Sequence, residues 1–159
     1  MSEFSPRTEA FLAEFRSRQE EFKNLSEQVF DLLRHALDGQ GIEINTIECR
    51  VKSEKSFVVK LGHKGEKYHK LEDITDLVGL RVVTYYTDDV DKVAAIVKNL
   101  FTVDWEKSVD KRKRQLDSFG YLSLHYICRL REGSWPFEIQ MRTALQHVWS
   151  AVEHDIGYK

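Results

Sequence analysis

A chain of 159 residues that is 42% hydrophobic and 31% charged has the make-up of one compact globular domain around a single core. The formal net charge of −2 excludes a general polyanion binder, so any contact with nucleotide or nucleic acid has to come from local basic clusters. The chain has no apolar run long enough for a bilayer and no secretory pattern at its start, so membrane partners are not expected. Its two cysteines, Cys49 and Cys128, lie in alternating apolar stretches that suit small buried thiols, which points to a reducing, cytoplasmic setting rather than a disulfide framework.

From about Thr8 to Leu37, Phe11, Phe15, Phe22, Leu25, Val29, Leu32 and Ala36 recur at helical spacing. This predicts a long amphipathic N-terminal helix, or two, stopped by Gly39-Gln40-Gly41. Ile47, Cys49 and Val51 then alternate with Glu48, Arg50 and Lys52, the pattern of a half-buried strand. Ser53 is placed to cap a short helix through Ser56 and Lys60, ending before a polar loop from His63 to Lys70. Leu80 to Tyr86 is apolar on both faces, as a central strand is. Asp89 is the expected cap of a helix carrying Val93, Ile96, Val97 and Leu100. Val103, Trp105 and Val109 mark another strand, followed by the basic run Lys111-Arg112-Lys113-Arg114. Two more strands are expected, about Tyr121 to Leu130 and Trp135 to Met141, and Thr143 is placed to cap a last helix with Leu145, Val148 and Val152. The fold class that follows is α+β, a mixed sheet flanked by helices.

Strand alternation gathers chemistry on one side of the last two strands. Ser123, His125 and Tyr121 oppose Leu122, Leu124, Tyr126 and Cys128; Glu138, Gln140 and Arg142 oppose Phe137, Ile139 and Met141. Alternation alone leaves an ordinary solvent face as an equal alternative. On the first strand, Arg50 and Lys52, with Ser56 and Lys60 one and two helical turns on, form the mixture of planar guanidinium, point charges and hydroxyl that a triphosphate takes. Taken alone, that cluster reads better as a solvated basic face, because Lys and Arg in a short window are common. Asp76 sits at the entrance of the central strand, where a carboxylate often only caps a turn, a part Asp73 is also placed to play. Nucleotide-bound Mg²⁺, however, takes one or two protein carboxylates and fills its shell with phosphate and water, and Asp76 with Glu138 makes such a pair.

These blocks together resemble the RelA/SpoT synthetase domain. They are Arg50-x-Lys52-x-x-x-Ser56-x-x-x-Lys60, Asp76-Leu-Val-Gly-Leu-Arg81, Gly120-Tyr121-x-Ser123-x-His125, Glu138-Ile-Gln140-Met-Arg142-Thr143 and Glu153-His154-x-x-x-Tyr158-Lys159, in the family's order from Arg50 to the last residue. The resemblance implies a nucleotidyltransferase-like fold, with residues 1–40 as a helical segment packing on the core and 41–159 as the synthetase domain. It implies transfer of the β,γ-pyrophosphate of ATP to the 3′-oxygen of GDP or GTP, giving the alarmone (p)ppGpp. By motif position, Arg50 and Arg81 sandwich adenine, and Lys52, Ser56 and Lys60 hold the ATP phosphates. Asp76 and Glu138 are the catalytic and Mg²⁺-binding carboxylates, Glu138 sharing the metal or taking the hydroxyl proton. Tyr121 stacks on the acceptor base, with His125, Gln140 and Arg142 nearby.

The departures fall on the acceptor half. Leu116-Asp117-Ser118-Phe119 stands where guanine-binding members usually have a lysine, and His147 stands where small synthetases often carry the Asn associated with holding guanine. Lys111, Arg112, Lys113 and Arg114 substitute for that lysine or bind something larger, which keeps open a toxin-like branch of the family that modifies the 3′ end of tRNA. A catalytically silent nucleotide-binding module would lack Asp76 or Glu138, and both are present. His154-Asp155 has no upstream histidine pair to complete a hydrolase metal site, and His35, His63 and His69 read as surface residues. The seam of the N-terminal helix is also able to serve a homo-oligomer, as in several family members, although core packing suits it better. Relatives continue past the Tyr158-Lys159 motif, so a further C-terminal regulatory or antitoxin-like region is expected beyond it.

Overall fold

The computed structural model describes residues 4–111 and 123–155, with the side chains of 153–155 left aside. The N-terminal helical segment is two helices, α1 (Pro6–Ser17) and α2 (Gln19–Leu37), rather than one long one. Ser5 caps α1 by accepting the Thr8 N–H at 3.2 Å, with Pro6 in the first turn where its missing donor costs nothing. The break falls at Arg18 (φ −104°, ψ 9°), and the aromatic contacts on either side explain it. Phe15 stacks on Phe57 with centroids 4.3 Å apart, while Phe22 tilts onto Trp135 at 5.4 Å. Arg18 spans the corner, bonded to Glu14 at 2.9 Å and Glu21 at 2.8 Å with its guanidinium over Trp135.

In α2 the buried stripe is Phe22, Leu25, Val29, Leu33 and Leu37. Leu33 is fully buried and Leu32 is 39% exposed, so from Leu25 the core stripe follows steps of four rather than the Leu32 and Ala36 positions expected from sequence. The stop is as expected: Gly39 and Gly41 have φ of 73° and 71°, a left-handed conformation that a side chain would strain.

Five strands follow: β1 (Ile44–Val51), β2 (Val78–Thr84), β3 (Thr102–Asp110), β4 (Leu124–Arg129) and β5 (Phe137–Thr143). Their order across the sheet is β1-β2-β5-β4-β3, with β2 and β5 parallel and every other neighbouring pair antiparallel. The sheet is therefore mixed and the fold α+β. Three further helices complete it: α3 (Glu54–Lys64), α4 (Thr87–Leu100) and α5 (Ala144–Asp155). One sheet face carries Leu80, Val82, Leu124, Ile139 and Met141, all buried, and α2 and α4 close over it. α1 packs on α3 through the Phe15–Phe57 stack. The opposite face is the polar one, and its side chains make the site. Among the described residues no helix is long and apolar enough to cross a membrane.

Four local expectations need correction. Cys49 is exposed, because β1 is the sheet edge and leaves its outer flank uncovered, whereas Cys128 is buried and its thiol is pushed up to about 12 by that burial. The central strand ends at Thr84, and Tyr85 and Tyr86 are exposed at 53% and 63% in the turn that follows. Asp89 is not the cap of α4, which begins after Tyr86; its buried carboxylate accepts the Glu43 N–H at 3.2 Å and ties α4 to the entry of β1. Lastly, Leu145, Val148 and Val152 on α5 are exposed, although the helix starts where Thr143 predicts. Thr143 accepts the Gln146 N–H at 3.3 Å and Gln146 returns the bond to the Thr143 N–H at 2.9 Å, a reciprocal box.

Candidate active site

The cap and the turn before β2 place the charges. Ser53 accepts the Ser56 N–H at 3.2 Å and starts α3 immediately after β1, so Lys52 leaves the strand end and Lys60 returns two turns along the helix. Between them stands Asp76, with Lys60 Nζ at 2.7 Å from Oδ1 and Lys52 Nζ at 3.2 Å from Oδ2. Asp73 takes the structural part, accepting the His69 and Lys70 N–H groups at 2.9 and 3.1 Å, which leaves Asp76 free for the lysines. Burial of Asp76 favours its neutral form, but the bond and charge of Lys60 and the charge of Lys52 prevail and hold the carboxyl below the usual range.

Register carries the rest across the sheet. Arg50 pairs with Gly79, Glu48 with Arg81, Arg81 with Gln140, and His125 with Gln140, so all of these share one face. A hydrogen-bonded row results. Arg81 Nε donates to Gln140 Oε1 at 3.4 Å, and Gln140 Nε2 donates to Glu138 Oε1 at 2.7 Å. His125 Nδ1 lies 3.8 Å from the same Glu138 oxygen, and its Nε2 is bonded to the buried Ser123 hydroxyl at 2.7 Å. Burial pushes Glu138 above the ordinary carboxylate value; Gln140 works against this and the Asp76 charge adds to it. His125 is pushed down to about 4 by burial and by the cations Lys111, Arg142 and Arg81, so the imidazole beside Glu138 is neutral near pH 7.

Glu48, Arg50, Asp76, Gly79, Arg81 and Glu138 line one cleft that encloses about 100 Å³. That is below the several hundred Å³ of an enclosing ligand pocket, so the cleft does not by itself enclose a whole ligand of that size. Arg142 and His147 form the far end. Arg142 donates to Ser150 at 3.2 Å and sits 2.8 Å from His147 Nδ1, and its buried Nε has no partner among the described residues. Burial, with the nearby charge of Arg81, lowers Arg142 to about 10, and burial with Arg142 lowers His147.

The structure thus brings Arg50, Lys52, Lys60, Asp76, Arg81, His125, Glu138 and Gln140 onto one face, with Arg142 and His147 beyond them. Lys111 joins them after β3, its N–H bonded to the Ser123 carbonyl at 2.9 Å. Ser56 is exposed and bonded to Ser53 at 3.1 Å, one turn short of the ion pair. Arg112, Lys113, Arg114 and Tyr121 lie outside the described residues, as does most of the terminal motif. His35, His63 and His69 are exposed, as expected. Glu48 was given no role by the sequence, and only the cross-strand register shows that it faces Arg81; Ser123, placed on the polar face by alternation, is bonded to His125 two residues on.

As for a metal, no cluster of three or more ligating side chains occurs among the described residues. Two carboxylates on one cleft, one of them held ionised, are a hard-oxygen pair that fits Mg²⁺ arriving with nucleotide phosphates rather than an all-protein cage.

The fold and the cleft define an α+β domain with a charged ligand face laid across a mixed sheet. Residues 49–159 match the family described as a region found in RelA/SpoT proteins, and the chain belongs to that family. It is 29% identical over 160 residues to GTP pyrophosphokinase YjbM of Bacillus subtilis, covering 95% of this chain and 73% of that protein. The small alarmone synthetase 1 of Bacillus subtilis bound to its product pppGpp superposes with a TM-score of 0.66 at 26% identity, over 95% of this chain and 81% of that one. The same synthetase bound to AMPCPP gives 0.57 at 27% identity, over 94% and 77%.

Proposed function

We propose that this chain is a pyrophosphokinase that moves the β,γ-pyrophosphate of Mg·ATP onto the 3′-hydroxyl of GDP or GTP. The observation that carries the reading is the cleft in which Asp76, clasped by Lys52 and Lys60, faces Glu138, whose pKa is raised by burial. The relatives named as GTP pyrophosphokinase and bound to pppGpp or AMPCPP support it.

Adenine stacks between Arg50 and Arg81, and the triphosphate runs toward Lys52 and Lys60, whose ammonium groups then serve phosphate oxygens as well as Asp76. Ser56, in the first turn of α3, adds a hydroxyl donor at the phosphate end. Bound Mg²⁺ would supply charge neutralisation on the pyrophosphate, with Asp76 as the residue that would hold it in the arrangement where Glu138 takes the proton. The acceptor 3′-oxygen attacks the β-phosphorus, the bond between that phosphorus and the bridging α,β-oxygen breaks, and AMP leaves. The hydroxyl proton passes to Glu138, whose raised pKa suits a proton acceptor near neutral pH. Neutral His125 matters here, because a cationic imidazole at that distance would lower the basicity of Glu138. Gln140 orients the carboxylate, and Arg142 offers to the acceptor phosphates the Nε–H that has no partner among the described residues. His147, with Lys111, completes the acceptor end; by family motif alone, Tyr121 is the base-stacking residue and Arg112, Lys113 and Arg114 add positive charge for the acceptor.

The test is a transfer assay with γ-labelled ATP and Mg²⁺, offered GDP, GTP and deacylated tRNA in parallel. Label is expected on the guanine nucleotide, and Asp76→Ala and Glu138→Ala each abolish it with an unchanged circular dichroism spectrum. Label on tRNA alone would replace the acceptor assignment and make Lys111 to Arg114 the acceptor groove. Transfer at near-normal rates in either variant would remove that carboxylate from the chemistry.

A further inference from the structure

We infer that Glu48 reads the exocyclic amine of the donor base and so makes the donor site select adenine. This rests on the reading of Arg50 and Arg81 as the two stacking faces.

The strand register fixes the geometry. Arg50 stands opposite Gly79 on β2, and Arg81 is two residues further along that strand on the same face. Such diagonal neighbours are about 7–8 Å apart. A flat ring held between two planar guanidinium groups requires about twice a carbon contact distance of 3.5–4.0 Å, which is the same span. Gly79 has no side chain to fill the gap, and a Cβ there would meet only the Glu138 carbonyl oxygen, at 4.0 Å. The space between the arginines is therefore open down to the backbone of β2.

Glu48 stands at the rim of that space, two residues from Arg50 along β1 and directly across from Arg81. Its side chain is 53% exposed, and its Oε2 forms a loose ion pair with Arg81 Nη1 at 3.5 Å that leaves the carboxylate further acceptor sites. The other two carboxylates of the cleft are engaged: both oxygens of Asp76 take lysines, and Glu138 takes Gln140. The Gln140 carbonyl already accepts from Arg81. Glu48 is thus the acceptor with open capacity at the base end, among the described residues.

An ionised carboxylate only accepts hydrogen bonds. Adenine presents an amine donor at C6, whereas guanine presents a carbonyl oxygen there, which would meet the carboxylate as acceptor against acceptor. The same side chain therefore attracts one purine and rejects the other, while its charge holds Arg81 in the stacking position. A residue that only braced Arg81 would favour every stacked purine alike.

Equilibrium binding of ATP and of purine riboside triphosphate, which lacks the C6 amine and is otherwise the same, separates these roles. With Mg²⁺ and no acceptor, calorimetry on the native chain should give ATP an advantage on the order of tenfold, the worth of one hydrogen bond to a charged group. Glu48→Ala should bring the two nucleotides to equal affinity by weakening ATP. Glu48→Gln, which keeps an acceptor oxygen, should retain a preference. No preference in the native chain, or an equal loss for both nucleotides in Glu48→Ala with the ratio unchanged, overturns the inference and leaves the ATP reading standing. Failure of the native chain to bind ATP at all would overturn that reading and this one together.

Discussion

His125 shows how burial next to cations sets the state of a single residue. Its imidazole is held at about 4 against an ordinary 6.5, so between those values the unfolded chain binds a proton that the folded chain does not. Stability therefore rises with pH through this window and is lost as pH falls from 6.5 toward 4. From pH 7 to pH 5 the loss from this residue alone is at most about 2 kcal/mol, since each pKa unit is about 1.4 kcal/mol. Urea unfolding in metal-free buffer should show that decline, and His125→Gln should flatten it; an equal slope in both would place the effect elsewhere. Alternation placed His125 on the polar face with Glu138 and Gln140. It also placed Ser123 and Arg142 there, but not the charges of Lys111 and Arg81 around the ring, because these come from other segments of the chain.

The capping signals read well at the scale of elements because they are local. Ser53 and Thr143 each cap the helix that follows them, satisfying backbone donors within three residues. Thr143 also has Gln146 returning the bond, so Thr143→Ala should cost about 1 kcal/mol in urea unfolding. A loss below a few tenths would show that the tertiary contacts of α5 start the helix without its cap. Asp89 misled for the opposite reason. Its sequence position suits a cap, but its carboxylate serves Glu43, 46 residues away, a demand that no local pattern contains. The stripe on α2 was displaced in the same manner, because Leu32 and Leu33 are equally apolar and only the sheet decides which faces it.

For the whole molecule, the consequence lies in how the N-terminal segment meets the sheet. Phe22, Val29, Leu33 and Leu37 are buried in the same core as Leu80, Val82, Ile139 and Met141. Removing residues 1–40 would bare that sheet face, at roughly 1.5–3 kcal/mol for each large side chain uncovered. A chain of residues 41–159 is expected to lose cooperative thermal unfolding and to aggregate. A sharp melt for that fragment would make residues 1–40 an appendage rather than part of the domain.

Much of this was written in the chain itself. Periodicity placed the helices and strands, capping residues set where α3 and α5 begin, and spaced polar residues marked one sheet face and the family. All of these depend on neighbours a few residues apart, which backbone geometry alone relates. Tertiary structure decided what depends on distance across the fold: the turn at Arg18 that sends Phe15 and Phe22 to different partners, and the clasp of Asp76 by two lysines. It also decided the register that sets Glu48 beside Arg81 and the burial that moves His125 and Glu138 in opposite directions along the pH scale. Electrostatic and packing energies follow separation in space, and the sequence orders residues only along the chain.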